Sequence, residues 1–488
     1  MKNILSSKEI YIVIFLGLFS ILINQYYGNK GIFPADSFAH FDTGFRILLD
    51  LHPFKDFWIV SGPLIDYIQA IFFYFFGVNW QSYVFHASFF NAVLSISTYF
   101  VLRNFNLNFS YCLIYSLLFS VLAYPSSGTP FVDHHSAFFS LLGIYSLILG
   151  IKSEKKIFWI LLPIILGFAF LSKQVPSSYV IISLVIILFI FSIIKKKFYW
   201  VKYSFLGSFL FIFLLLIFGK FQGINLSSFI NQYLLYPQTI GLQRFQNFEF
   251  TLRGTIGHFK FIYIAASILF YVNCKRIIFE KEYIKNNDFY YFLILIFFSF
   301  SLIFHQVFTK NQTFIFFLVP ILFAFSHINL SLLKNNFNKV ISIFLIIICL
   351  FITFKYHLRF NESRKFHELN YVNFNSFSNA KEIDSKFIGL KWITPEYNEE
   401  SAKEVQIIKE AKDYLLNDSR IKMLITNYSF FSGILQEKIY SPSRWYILDG
   451  TDFPLKNNKY FSNYKNLIKK IVEKNNIEVI YIIYPQES

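Results

Sequence analysis

The chain has 488 residues, of which 55% are hydrophobic, 22% aromatic and only 15% charged. A soluble domain has no use for so much apolar surface, whereas a bilayer does. The formal net charge of +16 would suit a nucleic-acid partner, but its distribution excludes that reading. About 16 Lys and Arg lie at the N-terminus or in alternate short loops, and about nine lie in the opposite loops of the membrane part, which is positive-inside patterning.

Taken in chain order, the apolar runs predict about eleven spans, near residues 9–26, 81–102, 109–125, 134–151, 157–172, 174–194, 203–219, 259–273, 289–304, 314–330 and 340–354. No small-residue cleavage site follows the first span, so it reads as a retained helix. The charge pattern puts the N-terminus inside. The loop 27–80 and everything after about residue 355 are then extracytoplasmic. Residues 63–77 are apolar but carry Asp66 and Gln69. They are too short to span and read as a juxtamembrane helix, or as the outer turns of a long second span. Residues 355–488 change character, with frequent mixed charges. Helical spacing at 401–416 and 462–475 alternates with apolar runs at 421–426 and 477–483, the pattern of a small α/β domain. The expected fold is thus an α-helical polytopic membrane protein, a domain over 1–354 with extracytoplasmic juxtamembrane helices, followed by a small extracytoplasmic α/β domain over 355–488. Cys112, Cys274 and Cys349 lie in or beside spans and form neither a disulfide framework nor a metal motif.

Ionisable groups concentrate in the first outer loop. Asp36 opens a helical pattern in which Phe38, Phe41, Phe45 and Leu48 share a side. It is a candidate general base and also a plausible helix cap. His40 follows four residues later, on the same face of a regular helix. The pair offers two metal ligands, too few to define a site, and a solvated or packed histidine is the blander reading. Asp42 and Arg46 are spaced for an intrahelical ion pair, or for an arginine held ready for a phosphate. Asp56 is a further carboxylate in the loop. Beyond it, Asp133 in FVDHHSAFF enters the fourth span as a cap or a site acid. Lys173 in GFAFLSKQVP stands between two apolar spans on the outer side. There it either snorkels to the interface or holds a lipid phosphate. Arg244 and Arg253 lie in the outer loop 220–258.

Three features recur in order on the outer side. Asp36 precedes RILLDLHPFKDFW, SGPLIDY and FFGVNW; Asp133 lies in VDHHSAFFSLLGIYSLI; Lys173 lies in GFAFLSKQVP. This order resembles the GT-C superfamily of membrane glycosyltransferases that use polyprenyl-phosphate-linked sugars, and within it the branch of protein O-mannosyltransferases and lipid A aminoarabinose transferases. The resemblance covers roughly residues 9–195, and the later spans in outline. It implies an acidic residue, Asp36, acting as base alone or with Asp133, and cationic partners for the leaving phosphate. By charge and side, Lys173 and one of Arg244 or Arg253 suit that role, with Arg46 a further candidate. His40 and Asp56 are secondary candidates. Family members often carry two adjacent acids in the first loop, and here Ser37 follows Asp36. The ligand set is therefore too incomplete to assert a divalent metal ion.

The function implied is inverting transfer of a sugar from a polyprenyl-phosphate donor to an extracytoplasmic glycan, lipid or protein at the plasma (inner) membrane, with the bilayer and no nucleic acid as partner. Two other readings are a transporter or lipid flippase without catalysis and a glycan polymerase or ligase using a diphosphate-linked donor. A transporter should bury ionisable residues at mid-span, and the predicted spans are nearly free of charge.

Overall fold

Helices occupy every expected apolar run. The computed structural model describes residues 7–124, 128–246, 248, 250–309, 315–332, 338–363 and 369–484. The first helices are α1 (Ser7–Gly28), the short outer helices α2 (Pro34–Ser37), α3 (Ala39–Leu48) and α4 (Pro63–Phe76), then α5 (Trp80–Asn104), α6 (Phe109–Ala123), α7 (Val132–Ser153), α8 (Lys156–Ser172), α9 (Gln174–Lys195) and α10 (Tyr199–Phe221). After α10 the chain forms α11 (Leu226–Phe229), α12 (Tyr236–Gln246), α13 (His258–Phe279), α14 (Asn287–Phe308), α15 (Leu318–Leu332) and α16 (Asn338–Tyr356). Among the described residues eight helices are long and apolar enough to cross a membrane; α6, α8 and α15 are shorter apolar helices at expected spans. The protein is a helical polytopic membrane protein.

Burial sorts the helices by position. In α7, 72% of the apolar window is buried inside the protein, against 6% in α10. Helix α7 is therefore central, packed on α8, α9 and α14. Helix α10 turns Phe205, Phe209, Phe213 and Leu216 outward, as a helix facing lipid does. It leans on α8 closely enough that a Cβ at Gly207 would stand 2.1 Å from the Ile160 carbonyl oxygen. Only glycine permits that approach.

The segment between α10 and α13, expected as a loop, is largely helical. Tyr233 and Tyr236 are its buried anchors, against Phe54 and Trp58 of the first outer loop.

The C-terminal region contains β1 (Ser378–Asn379), β2 (Lys391–Trp392), α17 (Ser401–Asn417), β3 (Lys422–Thr426), α18 (Phe431–Leu435), α19 (Phe461–Lys474) and β4 (Val479–Ile483). Strands β1 and β2 pair antiparallel, and β3 and β4 pair parallel, with Lys422 opposite Val479. This region interlocks with the first outer loop. Gly31 and Ile32 donate backbone hydrogen bonds to the carbonyls of Lys391 and Ile393, and Lys391 donates to Asn29. Phe38 and Phe41 share one buried cluster with Phe387, Trp392 and Phe430. The aromatic residues of α3 thus face the C-terminal region, which explains their helical spacing.

Candidate active site

Asp133 occupies the first turn of α7. The helix is capped by Phe131 without a side-chain bond, so the Asp133 carboxylate does not serve as a cap. It turns inward instead. Its Oδ2 accepts from Lys173 Nζ at 2.7 Å, and its Oδ1 faces His305 Nε2 at 2.9 Å. Lys173 joins α8 to α9 in extended backbone, and His305 lies in the last turn of α14. Three helix ends therefore deliver an acid, a cation and an imidazole to one point. Asp133 is 2% and His305 0% exposed, whereas Lys173 is 17% exposed. The lysine is the member of the cluster whose side chain is partly exposed.

Because His305 Nε2 faces a carboxylate, that nitrogen carries the proton and Nδ1 holds the lone pair. Nδ1 is buried and makes no hydrogen bond among the described residues. The exposed Arg244 lies within electrostatic reach of His305. Arg253 is exposed and lies near His258 instead.

Asp36 is half-buried in the first turn of α2. Phe33 is the cap residue of that helix, and Ser37 Oγ accepts its backbone N–H at 3.0 Å. The backbone breaks from helical form at Phe38, so Asp36 and His40 do not share one regular helix face. His40 turns to Asp66 of α4, with Nδ1 at 2.6 Å from Oδ1. Thr43 donates to the same oxygen at 2.6 Å, and Arg444 Nη2 donates to Oδ2 at 2.6 Å. Burial, reinforced by the Arg444 charge, lowers the His40 pKa below its ordinary value, so the imidazole is neutral with its lone pair on Nε2.

Arg46 forms the expected ion pair with Asp42. It also donates to the carbonyls of Ser441 and Ser443 at 3.2 and 3.4 Å. It is buried and committed to the C-terminal region. Asp56 accepts the His52 backbone N–H at 3.0 Å and closes its own turn. Neither side chain is brought to Asp133. Among the described residues no group of three His, Cys, Asp or Glu side chains converges to hold a metal ion.

A cavity of about 570 Å³ lies between α4, α8 and α10, lined by Phe54, Leu64, Tyr67, Phe168, Leu171, Phe211, Phe218, Gly219, Lys220 and Phe229 among others. Its size is that of a ligand site, and its walls are almost wholly apolar. Leu171 on its wall is two residues from Lys173, and Gln174 ties this corner together through the carbonyls of Val60 and Tyr233 at 2.7 and 2.6 Å.

Sequence reasoning missed His305, Asp66 as an organising acid, and Arg444. His305 was legible in part, because FHQ interrupts an apolar run at the outer level shared by Asp133 and Lys173. Nothing local marks Arg444.

An acid–lysine–histidine cluster at the helix ends, in a chain that also holds an apolar chamber, suits an enzyme that works on a membrane-borne substrate. Residues 60–218, roughly a third of the chain, match the profile of the dolichyl-phosphate-mannose-protein mannosyltransferase family. This match supports a membrane glycosyltransferase of the GT-C type. It spans α4 to α10, and so takes in Asp66, Asp133, Lys173 and most of the cavity wall. No curated protein matches the chain.

Proposed function

We infer that the protein transfers a sugar from a polyprenyl-phosphate donor to an extracytoplasmic acceptor by a single inverting displacement. The observation that carries this reading is Lys173, partly exposed, held on Asp133 and two residues beyond Leu171 of the cavity wall. A polyprenyl chain lies in the cavity, and its phosphate meets Lys173 at the outer surface. Lysine has three N–H donors, so Nζ can hold the phosphate while keeping Asp133. Asp133 and His305 fix the ammonium in place before the substrate arrives, which is what electrostatic stabilisation of a leaving group requires. Arg244 supplies a second positive charge near the same point.

The acceptor hydroxyl attacks the anomeric carbon as the bond from that carbon to the phosphate oxygen breaks. The polyprenyl phosphate leaves with the electron pair, and Asp36 takes the hydroxyl proton. A positioned carboxylate contributes about 10²–10⁴-fold in that role. The half-buried position of Asp36 at the start of α2 supports it. Asp133 is the alternative acid. Positive-inside patterning supports an outward-facing site at the plasma membrane.

The test is the purified protein in liposomes, given polyprenyl-phosphate mannose labelled in the sugar and an envelope extract as acceptor. Label should leave the lipid and appear on acceptor. Label that stays on the lipid, or intact lipid moved across the bilayer, contradicts transfer. Protease added to intact spheroplasts should remove the region after residue 369; full protection contradicts the orientation.

A further inference from the structure

Four consecutive residues of the C-terminal region, 441–444, enter the first outer loop and are gripped there. Arg46 donates to the carbonyls of Ser441 and Ser443. Trp58 donates its backbone N–H to the Pro442 carbonyl at 2.8 Å. Arg444, fully buried, reaches the fully buried Asp66. Behind the tip, the segment is pinned to its own region. Asp452 Oδ2 accepts the backbone N–H groups of Arg444 and Trp445 at 3.1 and 3.3 Å, and Ser429 Oγ donates to the Arg444 carbonyl at 2.8 Å.

The far side of Asp66 leads to the membrane site. His40 and Thr43, one turn apart on α3, both donate to Oδ1. The His40 ring packs on Gly62, where φ is +72° and a Cβ would stand 2.7 Å from Val132 Cγ1, 2.8 Å from His40 Cε1 and 3.4 Å from Arg444 Nη1. Val132 is the residue before Asp133. The chain of contacts therefore runs from Arg444 through Asp66 and His40 to the start of α7, with no slack at Gly62.

We propose that Arg444 is a positioning residue of the transfer site: it seats residues 441–444 in the first outer loop and, through Asp66, fixes α3 and the N-terminal turn of α7. The C-terminal region is then a working part of the site rather than an appended module. A buried carboxylate needs its full set of donors. Without Arg444, Asp66 is left with two neutral donors, and α3 loses the contact that orders it. Arg444 is fully buried and paired with Asp66, so its loss is expected to act on turnover rather than on donor affinity.

The kinetic arm rests on the transferase reading; a second arm is independent of any substrate. Arg444→Met keeps length and removes the charge, and Arg444→Lys restores the charge. Expected for Arg444→Met is a kcat at least about tenfold lower, donor affinity within about twofold, and faster amide exchange across 39–48, 62–70 and the first turn of α7, while the rest of α7 and α14 keep their protection. Arg444→Lys should recover part of both losses. A wild-type kcat in Arg444→Met overturns the proposal, and so does a lower kcat with unchanged exchange in 39–48. If Arg444→Met fails to insert, Asp66→Asn, which keeps volume and hydrogen bonding, is read the same way: unchanged exchange in 39–48 overturns the proposal. If wild type transfers no sugar but 39–48 still loosens in Arg444→Met, the function reading fails and the positioning of α3 stands.

Discussion

His305 and Asp133 are 172 residues apart in sequence, yet Nε2 of His305 lies 2.9 Å from Oδ1 of Asp133. The imidazole holds one carboxylate oxygen while Lys173 holds the other, so α14 is tied to the outer ends of α7 and α8. A hydrogen bond to a charged group contributes about 1.5–3 kcal/mol, enough to set the orientation of the acid. His305→Leu should lower the transfer rate at saturating donor by about 10–100-fold. His305→Gln, whose amide can still donate, should stay within a few-fold of wild type. Equal rates for the two variants would show that the contact is only packing.

Lys173 separates phosphate binding from snorkelling. Lys173→Ala should weaken donor affinity by about tenfold or more, because a charge-assisted contact to phosphate is lost. Lys173→Arg should retain most of it. The measurement is equilibrium binding of labelled polyprenyl phosphate to the purified variants, and equal affinity in both would favour a lysine that merely reaches the interface.

The apolar cavity predicts a dependence on chain length. A Cβ at Gly219 on its wall would meet open space. Gly219→Phe therefore enters the cavity without backbone strain and should improve helix propensity. It should weaken binding of a long-chain donor by about tenfold and leave a short-chain water-soluble analogue unchanged. Competition binding with the two chain lengths decides the matter; equal losses for both would place the lipid elsewhere.

Much of this arrangement is legible in the chain itself. Hydropathy alone marks the membrane helices, because a bilayer demands long apolar runs. The spacing of Asp42 and Arg46 gives their ion pair, and the positions of Asp133 and Lys173 at the outer ends of spans mark them for a site. Other features depend on contacts between distant segments. Arg444 lies in SPSRWY with no periodicity, and its partner Asp66 is 378 residues away. The regularity expected from Asp36 to His40 fails because the backbone turns at Phe38. The 220–258 loop reads as irregular because its anchors, Tyr233 and Tyr236, face the first outer loop rather than one continuous core.

The C-terminal region should carry its own pH response. Glu404 is 1% exposed and accepts from Trp392 Nε1, Thr394 Oγ1 and Tyr428 Oη. Burial outweighs these donors and pushes its carboxyl up to about 7. A raised folded-state pKa means that the folded form holds its proton more tightly than the unfolded chain. The resulting stability is complete below the ordinary glutamate value and is lost as pH rises through about 7. The region should therefore resist pulse proteolysis better at pH 5 than at pH 8, by on the order of 3 kcal/mol. Glu404→Gln should reduce the difference and leave the share of Asp452, whose carboxyl burial also raises to about 7; an unchanged profile in Glu404→Gln would contradict the shifted carboxyl.

On the proposed mechanism Asp36 takes the proton from the acceptor hydroxyl. Asp36→Asn keeps the volume and most of the hydrogen-bonding capacity of the side chain, so insertion and fold should survive. The decisive measurement is single-turnover transfer from a polyprenyl-phosphate sugar by purified wild type and Asp36→Asn, with donor affinity measured on the same samples. The predicted result is a rate at least about 10²-fold lower in the variant, with donor affinity little changed. Near-normal turnover in Asp36→Asn would contradict the claim and pass the role to Asp133.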